Sequence, residues 1–264
     1  MSIFKQINGR PMTAEETAAY LERIDMPQPE KLDEAYLARL QWAHMQAVPF
    51  ENLDIMRGRE LTLDRDPLFE KIVYRRRGGV CAELNTLYNW LLESLGYDVD
   101  SYHSRIISDN VPYPGRSHRI MAVNIEGQKW LTDVGFNYEH HRKPLLLEAG
   151  LLQDDGECGY RLERDPAYGW LMWQDRREAG WRKKIAFSED PNIDADFVAA
   201  TFFAQHHRDS KINKKTKVSL YIGGVFHGIR QGNYLVEHSG VEQIVEEGIS
   251  SAREEELLRE VFKL

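Results

Sequence analysis

The chain has 264 residues and a mass of 30.7 kDa, with 42% hydrophobic and 29% charged residues, which is the composition of a globular protein of one to three domains. Its 34 basic and 42 acidic side chains give a net charge of −8, which argues against a nucleic-acid partner because such proteins need a basic face for phosphates. Two cysteines cannot form a disulfide framework, and no stretch has the apolar length of a signal peptide or membrane helix. We therefore expect a soluble cytoplasmic protein with no membrane partner.

The beginning of the chain is predicted to be helical. Thr13 and Glu16 have the spacing of a capping box, and a second helix is expected from about Asp33 to just before Pro49. A third helix has the most regular pattern in the chain and stops at Gly96, which favours a left-handed C-terminal cap. Its apolar residues recur every three or four positions: Leu84, Leu87, Tyr88, Leu91 and Leu95.

The middle and last parts change in pattern. From Tyr97, short β-branched and aromatic runs separated by turn residues indicate a small barrel or sandwich. The last part is mixed, and its final helix is expected to start at Ser251, with Glu254 completing a capping box. These patterns predict an α+β fold in three parts, residues 1–95, 96–195 and 196–264.

The segment RGGVCAELN, residues 77–85, carries the first candidate catalytic residue. Its two glycines allow a tight turn, and Cys81 falls at the start of the most regular helix. There the positive end of the helix dipole favours the thiolate, which is the nucleophilic form of cysteine. A small buried core residue is the alternative interpretation of Cys81. Cys158 follows an acidic turn that should raise the pKa of its thiol, so it is a poor candidate.

A second candidate pair lies on a predicted β-hairpin. Two β-type runs flank the dipeptide Glu126-Gly127, which is suited to a two-residue turn. If Ile125 pairs with Gln128, the alternation of strand side chains makes His118 and Asp133 diagonal neighbours on one face. Such a pair could act as a base and its orienting group beside a cysteine nucleophile. A surface histidine and an aspartate at a strand end are the alternatives.

Four motifs in order resemble those of one enzyme family. The segment at 77–85 looks like the active-site signature of the arylamine N-acetyltransferases, and VPFENLDI at 48–55 resembles that family's upstream motif. DVGF at 133–136 is similar to the aspartate motif of the family, and His118 stands where its histidine stands. The agreement in order and spacing runs from residue 48 to residue 136.

The resemblance implies a fold and a catalytic triad. The fold would be an N-terminal helical bundle, a central β-barrel and a C-terminal α/β lid, with a core like that of cysteine proteases. Cys81, His118 and Asp133 would form the triad, and Arg77 with Glu51 would form a structural ion pair. The implied reaction moves an acetyl group from acetyl-CoA to an arylamine, arylhydroxylamine or hydrazine through an acetyl-thioester of Cys81.

The resemblance also implies binding residues for both substrates. The loop at Pro114 and Gly115 would lie beside coenzyme A, and Ser210 is one of few residues that fit the family's pattern in the segment 205–210. The expected aromatic-acceptor wall consists of Phe50, Val80 and Phe136. Val80 and Ala82 stand where the family usually has aromatic residues, so a wider or differently shaped amine pocket is expected.

Several alternatives remain at this point. One is an acyltransferase or amide synthase of secondary metabolism that uses another acyl donor, which the changes at Val80 and Ala82 would suit. Another is a non-catalytic homologue that binds coenzyme A or another small molecule. No metal is expected, because the adjacent histidines at 140–141 and 206–207 cannot easily point at one ion. The expected assembly is a monomer or a homodimer.

Overall fold

The first part of the chain is helical in the computed structural model, which describes residues 11–107, 114–136, 141–177, 180–238 and 241–264. Its helices are α1 (Ala14–Arg23), α2 (Glu34–Ala47), α3 (Leu53–Met56), α4 (Arg65–Phe69), a π-helical turn (Glu70–Tyr74) and α5 (Cys81–Leu95). The capping box of Thr13 and Glu16 is present, and Gly96 ends α5 with a φ of +104°. The three predicted helices are therefore confirmed.

Helix α5 is the centre of this part. Its residues 82–92 are all buried, so the helix is covered on every side by the other helices and by the sheet that follows. This explains why its sequence is apolar beyond a single stripe. A helix enclosed in this way holds its first residue, Cys81, in a fixed place.

The middle part forms a curved, barrel-like antiparallel sheet of eight strands in the order β5-β4-β3-β2-β9-β8-β7-β6. The strands are β2 (Asp98–Ile106), β3 (His118–Ile125), β4 (Gln128–Thr132), β5 (Leu145–Leu146), β6 (Leu152–Asp154), β7 (Gly159–Asp165), β8 (Gly169–Asp175) and β9 (Trp181–Phe187). Ile125 pairs with Gln128 and Met121 with Thr132, so the predicted register of the hairpin is confirmed. This register brings His118 and Asp133 to neighbouring strand ends.

The last part is a five-stranded antiparallel sheet with helices beside it. Four of its strands are β10 (Val218–Ile222), β11 (Val225–Arg230), β12 (Asn233–His238) and β13 (Val241–Glu246), and the fifth comes from the first part of the chain. Helix α6 (Val198–His206) precedes these four strands and α7 (Ser251–Glu260) follows them. Helix α7 begins at Ser251 as predicted, but its cap is Ser250, whose hydroxyl accepts the N–H of Arg253, so the predicted capping box with Glu254 is absent. Glu254 instead accepts a hydrogen bond from the Thr216 hydroxyl at 2.8 Å.

The motif at 48–55 joins the first part to the last. Strand β1 (Phe50–Glu51) adds to the C-terminal sheet beside β10, with Phe50 opposite Ser219. The Asn52 amide donates to the carbonyl oxygens of Ile212 and Lys215 at 2.6 and 2.9 Å, and its oxygen accepts the N–H of Lys217. A strand of the predicted first part therefore pairs with a strand of the predicted last part. The boundaries between the three parts, at 95/96 and 195/196, stay predictions.

None of the described helices has both the length and the apolar character that crossing a membrane would require.

Candidate active site

The turn before α5 sets the position of Cys81. Gly79 accepts the backbone N–H of Glu51 at 2.9 Å, and a side-chain carbon at Gly78 would overlap the Pro49 carbonyl oxygen. At the helix start, the Glu83 carboxylate accepts the N–H of Val80 at 3.0 Å. Gly78 therefore lets the turn pass directly against Pro49 and β1, and Gly79 leaves room for the Glu83 side chain. Cys81 becomes the first residue of a buried helix.

His118 and Asp133 form a buried pair at the end of the hairpin. Nε2 of His118 lies 2.6 Å from Oδ2 of Asp133, and neither side chain is exposed to solvent. The other carboxylate oxygen of Asp133 accepts from the Asn85 amide at 2.7 Å and from the Gly135 N–H at 2.9 Å. Asn85 and Gly135 therefore fix the carboxylate, and the carboxylate fixes the imidazole.

The charge of Asp133 controls the protonation of His118. Burial acts to lower the pKa of His118, but the charge and hydrogen bond of Asp133 outweigh it, and the nearby Cys81 raises the pKa further. The pKa of His118 rises to about 10 as a result. At neutral pH the structure therefore favours an imidazolium between a carboxylate and a half-buried thiol, and this thiol belongs to Cys81.

Gly135 allows the hairpin to reach the start of α5. A side-chain carbon there would lie 2.8 Å from Cα of Cys81, 2.9 Å from the Cys81 carbonyl oxygen and 2.8 Å from the Asn85 amide nitrogen. These distances are shorter than real carbon contacts, and two of the three atoms belong to the backbone of a buried helix. Only glycine permits this approach, which brings the chain two residues after Asp133 against the backbone of Cys81.

We expect Gly135→Ala to slow alkylation of Cys81 by iodoacetamide at pH 7 by roughly 10- to 100-fold, because a small displacement separates the thiol from His118. Intact-mass spectrometry follows the alkylation.

Cys158 is buried, and burial followed by the charge of Asp155 raises the pKa of its thiol to about 11, so it should stay unmodified. The matched control is Gly159→Ala in β7, where the new carbon would lie 3.3 Å from the nearest atom. Equal rates in the two variants would contradict the proposed role of Gly135.

A cluster of ion pairs with buried carboxylates lies beside the turn that precedes α5. Arg77 lies 2.6 Å from Glu51 and 3.1 Å from Asp54, while Lys71 lies 2.8 Å from both Asp54 and Glu83. Burial acts to raise the pKa of Asp54, but hydrogen bonds and charges from Lys71 and Arg77 outweigh it and hold the pKa below its usual value. The ion pair of Arg77 and Glu51 that the resemblance implied is therefore present.

A pocket opens beside His118 and contains two of the three expected acceptor-wall residues. Phe50 and Phe136 line it, and the Phe136 ring meets the His118 ring edge-on at 5.1 Å between centroids. The other lining residues come from α2, the hairpin end and the C-terminal sheet: Met45, Val48, Val134, Ser219, Leu220, Tyr221 and Phe226. Val80 is not among them, since it caps α5 and is buried in the helical core.

The expected coenzyme A residues occupy two different settings. Pro114 and Gly115 precede β3 in an open loop, where the Pro114 carbonyl accepts from Arg105 and Gly115 has free space around its Cα. Ser210 is 4% exposed, and its hydroxyl donates to the carbonyl of Ala204 at 2.6 Å. The structure therefore engages Ser210 in holding the turn after α6, and its role in binding stays a prediction.

Two residues that support the pair of His118 and Asp133 were not among those predicted from the sequence. Asn85 follows Cys81 by one helical turn and donates to both Asp133 and the Arg119 carbonyl, so its spacing was an available signal. Arg119 is 1% exposed and bonds Thr86, Ser101 and Asp194. The only feature of the sequence that pointed to Arg119 was the presence of a charged residue in an otherwise apolar strand.

Comparison with known proteins identifies the family. A family model described as N-acetyltransferase matches residues 33–264. An arylamine N-acetyltransferase of Mycolicibacterium smegmatis is 31% identical over 233 residues, which cover 86% of this chain and 84% of that protein. The chain belongs to the arylamine N-acetyltransferase family.

Two further members place the chain within this family of acyltransferases. An arylamine N-acetyltransferase / N-hydroxyarylamine O-acetyltransferase of Salmonella typhimurium is 37% identical over 171 residues, 64% of this chain, and the match spans only 60% of that relative. The solved structure of Mycobacterium marinum arylamine N-acetyltransferase in complex with CoA superposes with a TM-score of 0.87 at 27% identity. It covers 94% of this chain and 92% of that chain, so the expected family fold of helical, barrel and α/β parts is confirmed.

Among the described residues, no group of three histidine, cysteine, aspartate or glutamate side chains is placed to hold a metal ion. His140 of the histidine pair at 140–141 lies outside the described residues.

Proposed function

We propose that this chain transfers an acetyl group from acetyl-CoA to the nitrogen of an arylamine, arylhydroxylamine or hydrazine by way of a Cys81 acetyl-thioester. The observation that carries the proposal is the buried pair of Asp133 and His118 beside the half-buried thiol of Cys81. The family of the chain supports the class of reaction. The CoA-bound relative from Mycobacterium marinum supports the class of acyl donor.

The first half-reaction loads Cys81. The thiolate attacks the carbonyl carbon of acetyl-CoA, and the carbon–sulfur bond to coenzyme A breaks. The departing sulfur takes the proton held by the His118 imidazolium, so free coenzyme A leaves and His118 becomes neutral. The backbone N–H of Cys81 has no acceptor within its helix and is a candidate donor to the carbonyl oxygen during attack.

The second half-reaction unloads Cys81 at the same site. The nitrogen of the acceptor attacks the acetyl-thioester, and neutral His118 takes a proton from that nitrogen. Cys81 leaves as a thiolate, and the imidazolium and thiolate are restored. The aromatic walls at Phe50 and Phe136 suit a flat acceptor, since both line the pocket beside His118.

The exposed loop before His118 suits the nucleotide end of coenzyme A. Gly115 leaves space for close approach of an anion to the backbone, and exposed Arg116, which donates to the Ser188 hydroxyl at 3.2 Å, can supply charge. A nucleophilic free thiol also fits a reducing compartment such as the cytoplasm.

Intact mass after mixing the protein with acetyl-CoA, without acceptor, tests this function. We expect a gain of one acetyl group, absent in Cys81→Ala and discharged when an arylamine such as 4-methoxyaniline is added. Cys158→Ala is the matched control and should acquire the group like the unchanged chain. Absence of an adduct on the unchanged chain would overturn the proposal and direct attention to other acyl donors.

A further inference from the structure

Gln41 of α2 joins two points of the chain on either side of the site. The residue is fully buried. Its side-chain oxygen accepts from the hydroxyl of Thr132 at 2.7 Å, and its nitrogen donates to the carbonyl oxygen of His141 at 2.7 Å. Thr132 immediately precedes Asp133, and His141 follows Phe136 by five positions. One amide therefore holds both ends of the segment that carries Asp133 and Phe136.

The His141 end is fixed by contacts that define its ring as well as its backbone. Nδ1 of His141 lies 2.7 Å from the Lys143 carbonyl, so this nitrogen carries the proton and the ring packs edge-on against Tyr160. Burial lowers the pKa of His141, which keeps the ring neutral beside the catalytic pair. With Nδ1 used in this way, the Gln41 nitrogen is left to the His141 carbonyl.

Arg142, the residue after His141, links this end of the segment to the pocket wall. The guanidinium of Arg142 lies 5.2 Å from the ring of Trp42, which neighbours Gln41 on α2, and 5.0 Å from the ring of Tyr221. Tyr221 lines the pocket on β10, and Arg142 also pairs with Glu157 at 3.0 Å. Helix α2 therefore connects the His141 end directly to the acceptor side of the site.

The position of Asp133 depends less on Gln41 than the shape of the pocket does. Asn85 and the Gly135 N–H hold its carboxylate independently, and β4 is paired to β3 up to Thr132. Loss of the Gln41 amide should therefore leave His118 and Asp133 in register. It should instead loosen the pocket side, where the acceptor binds.

We infer that Gln41 is a positioning residue for the acceptor half-reaction, holding the Thr132 and His141 ends of the site segment together so that the pocket keeps its shape. The inference rests on the proposed acetyl transfer. It concerns only the two ends of the segment, because residues 137–140 lie outside the described chain.

Single-turnover kinetics on Gln41→Met separate the two half-reactions. Acetylation of Cys81 by acetyl-CoA is followed by intact mass, and discharge of the isolated acetyl-enzyme by 4-methoxyaniline is followed in the same way. We expect acetylation close to the rate of the unchanged chain and discharge slower by roughly 10- to 100-fold. Protein that does not fold lowers the amplitude of each time course and leaves its rate constant unchanged, so a smaller folded fraction cannot imitate the result.

Two further variants complete the test. Gln41→Leu also removes the bonds to both Thr132 and His141 and adds no charge, so it should also slow discharge selectively; it also serves if Gln41→Met does not fold. Gln46→Met is the matched control on the same helix. Within the described part of the chain the Gln46 amide donates only to the Trp42 carbonyl, at 3.5 Å, so both of its rates should be unchanged.

Equal slowing of both half-reactions, or no change in either, in a folded Gln41 variant would overturn the positioning role while leaving the acetyl transfer intact. Failure of the unchanged chain to become acetylated would instead overturn the proposed function, and this inference with it.

Discussion

Asp133→Asn is expected to lower acetyl transfer by about 10⁴-fold while leaving the protein folded, the scale known when the acid of a comparable triad becomes an amide. The carboxylate accepts from Nε2 of His118 at 2.6 Å. An amide nitrogen at that position would donate to Nε2 and place the imidazole proton on Nδ1. That tautomer cannot take the proton of the Cys81 thiol.

The same substitution should change the pH dependence of Cys81 acetylation. With Asp133 in place, the raised pKa of His118, about 10, keeps the imidazolium present until alkaline pH, and its contribution is lost as pH rises through that value. Removing the negative charge leaves burial, which acts to lower the pKa of His118. The alkaline fall of the acetylation rate should therefore move to lower pH in Asp133→Asn.

Asp98→Asn provides the control for this measurement. Asp98 is exposed at the start of β2 and accepts from the Asn124 amide at 3.2 Å, so its substitution removes one carboxylate from the same barrel without touching the pair. Its rates and pH profile should match those of the unchanged chain. A folded Asp133→Asn protein that retained more than about a tenth of the rate would contradict the role of Asp133 as the orienting group.

Local patterns in the sequence were enough to predict the elements that carry Cys81, His118 and Asp133. The period of α5 and the stop at Gly96 placed Cys81 at a helix start, and the turn at Glu126-Gly127 placed His118 beside Asp133. These predictions succeeded because helix and strand periods and two-residue turns depend on neighbours in sequence. The family resemblance added the association of Cys81 with the hairpin, which no local pattern contains.

The parts that sequence reasoning missed depend on contacts between distant residues. The bond from Asn85 to Asp133 spans 48 positions and that from Gln41 to His141 spans 100. The motifs also did not reveal the local roles of two candidate binding residues. Val80 caps α5, and Ser210 holds the turn after α6. Which neighbour completes a buried polar group is decided by tertiary packing.

Arg77→Met is expected to lower the free energy of unfolding by about 3 kcal/mol, measured by urea denaturation at pH 7, because it leaves the buried carboxylate of Glu51 without its guanidinium partner. The Glu51 side chain is fully buried, and Arg77 reaches it with two nitrogens, at 2.6 and 2.9 Å. Lys71 stays nearby and offsets part of the loss through its charge. Activity should fall too, because the backbone of Glu51 holds Gly79, two residues before Cys81.

Two arginine variants distinguish this effect from a general loss of charge. Arg75→Met removes the exposed partner of Glu70, whose pairing at 3.0 Å should contribute little, so its unfolding free energy should change by less than about 1 kcal/mol. Arg77→Lys keeps the charge but loses the planar fork that reaches both Glu51 and Asp54, and should lie between the two. If Arg77→Met lost no more stability than Arg75→Met, the cluster would not be what holds the turn of Gly78 and Gly79 against β1. The position of Cys81 would then have to come from the burial of α5 alone.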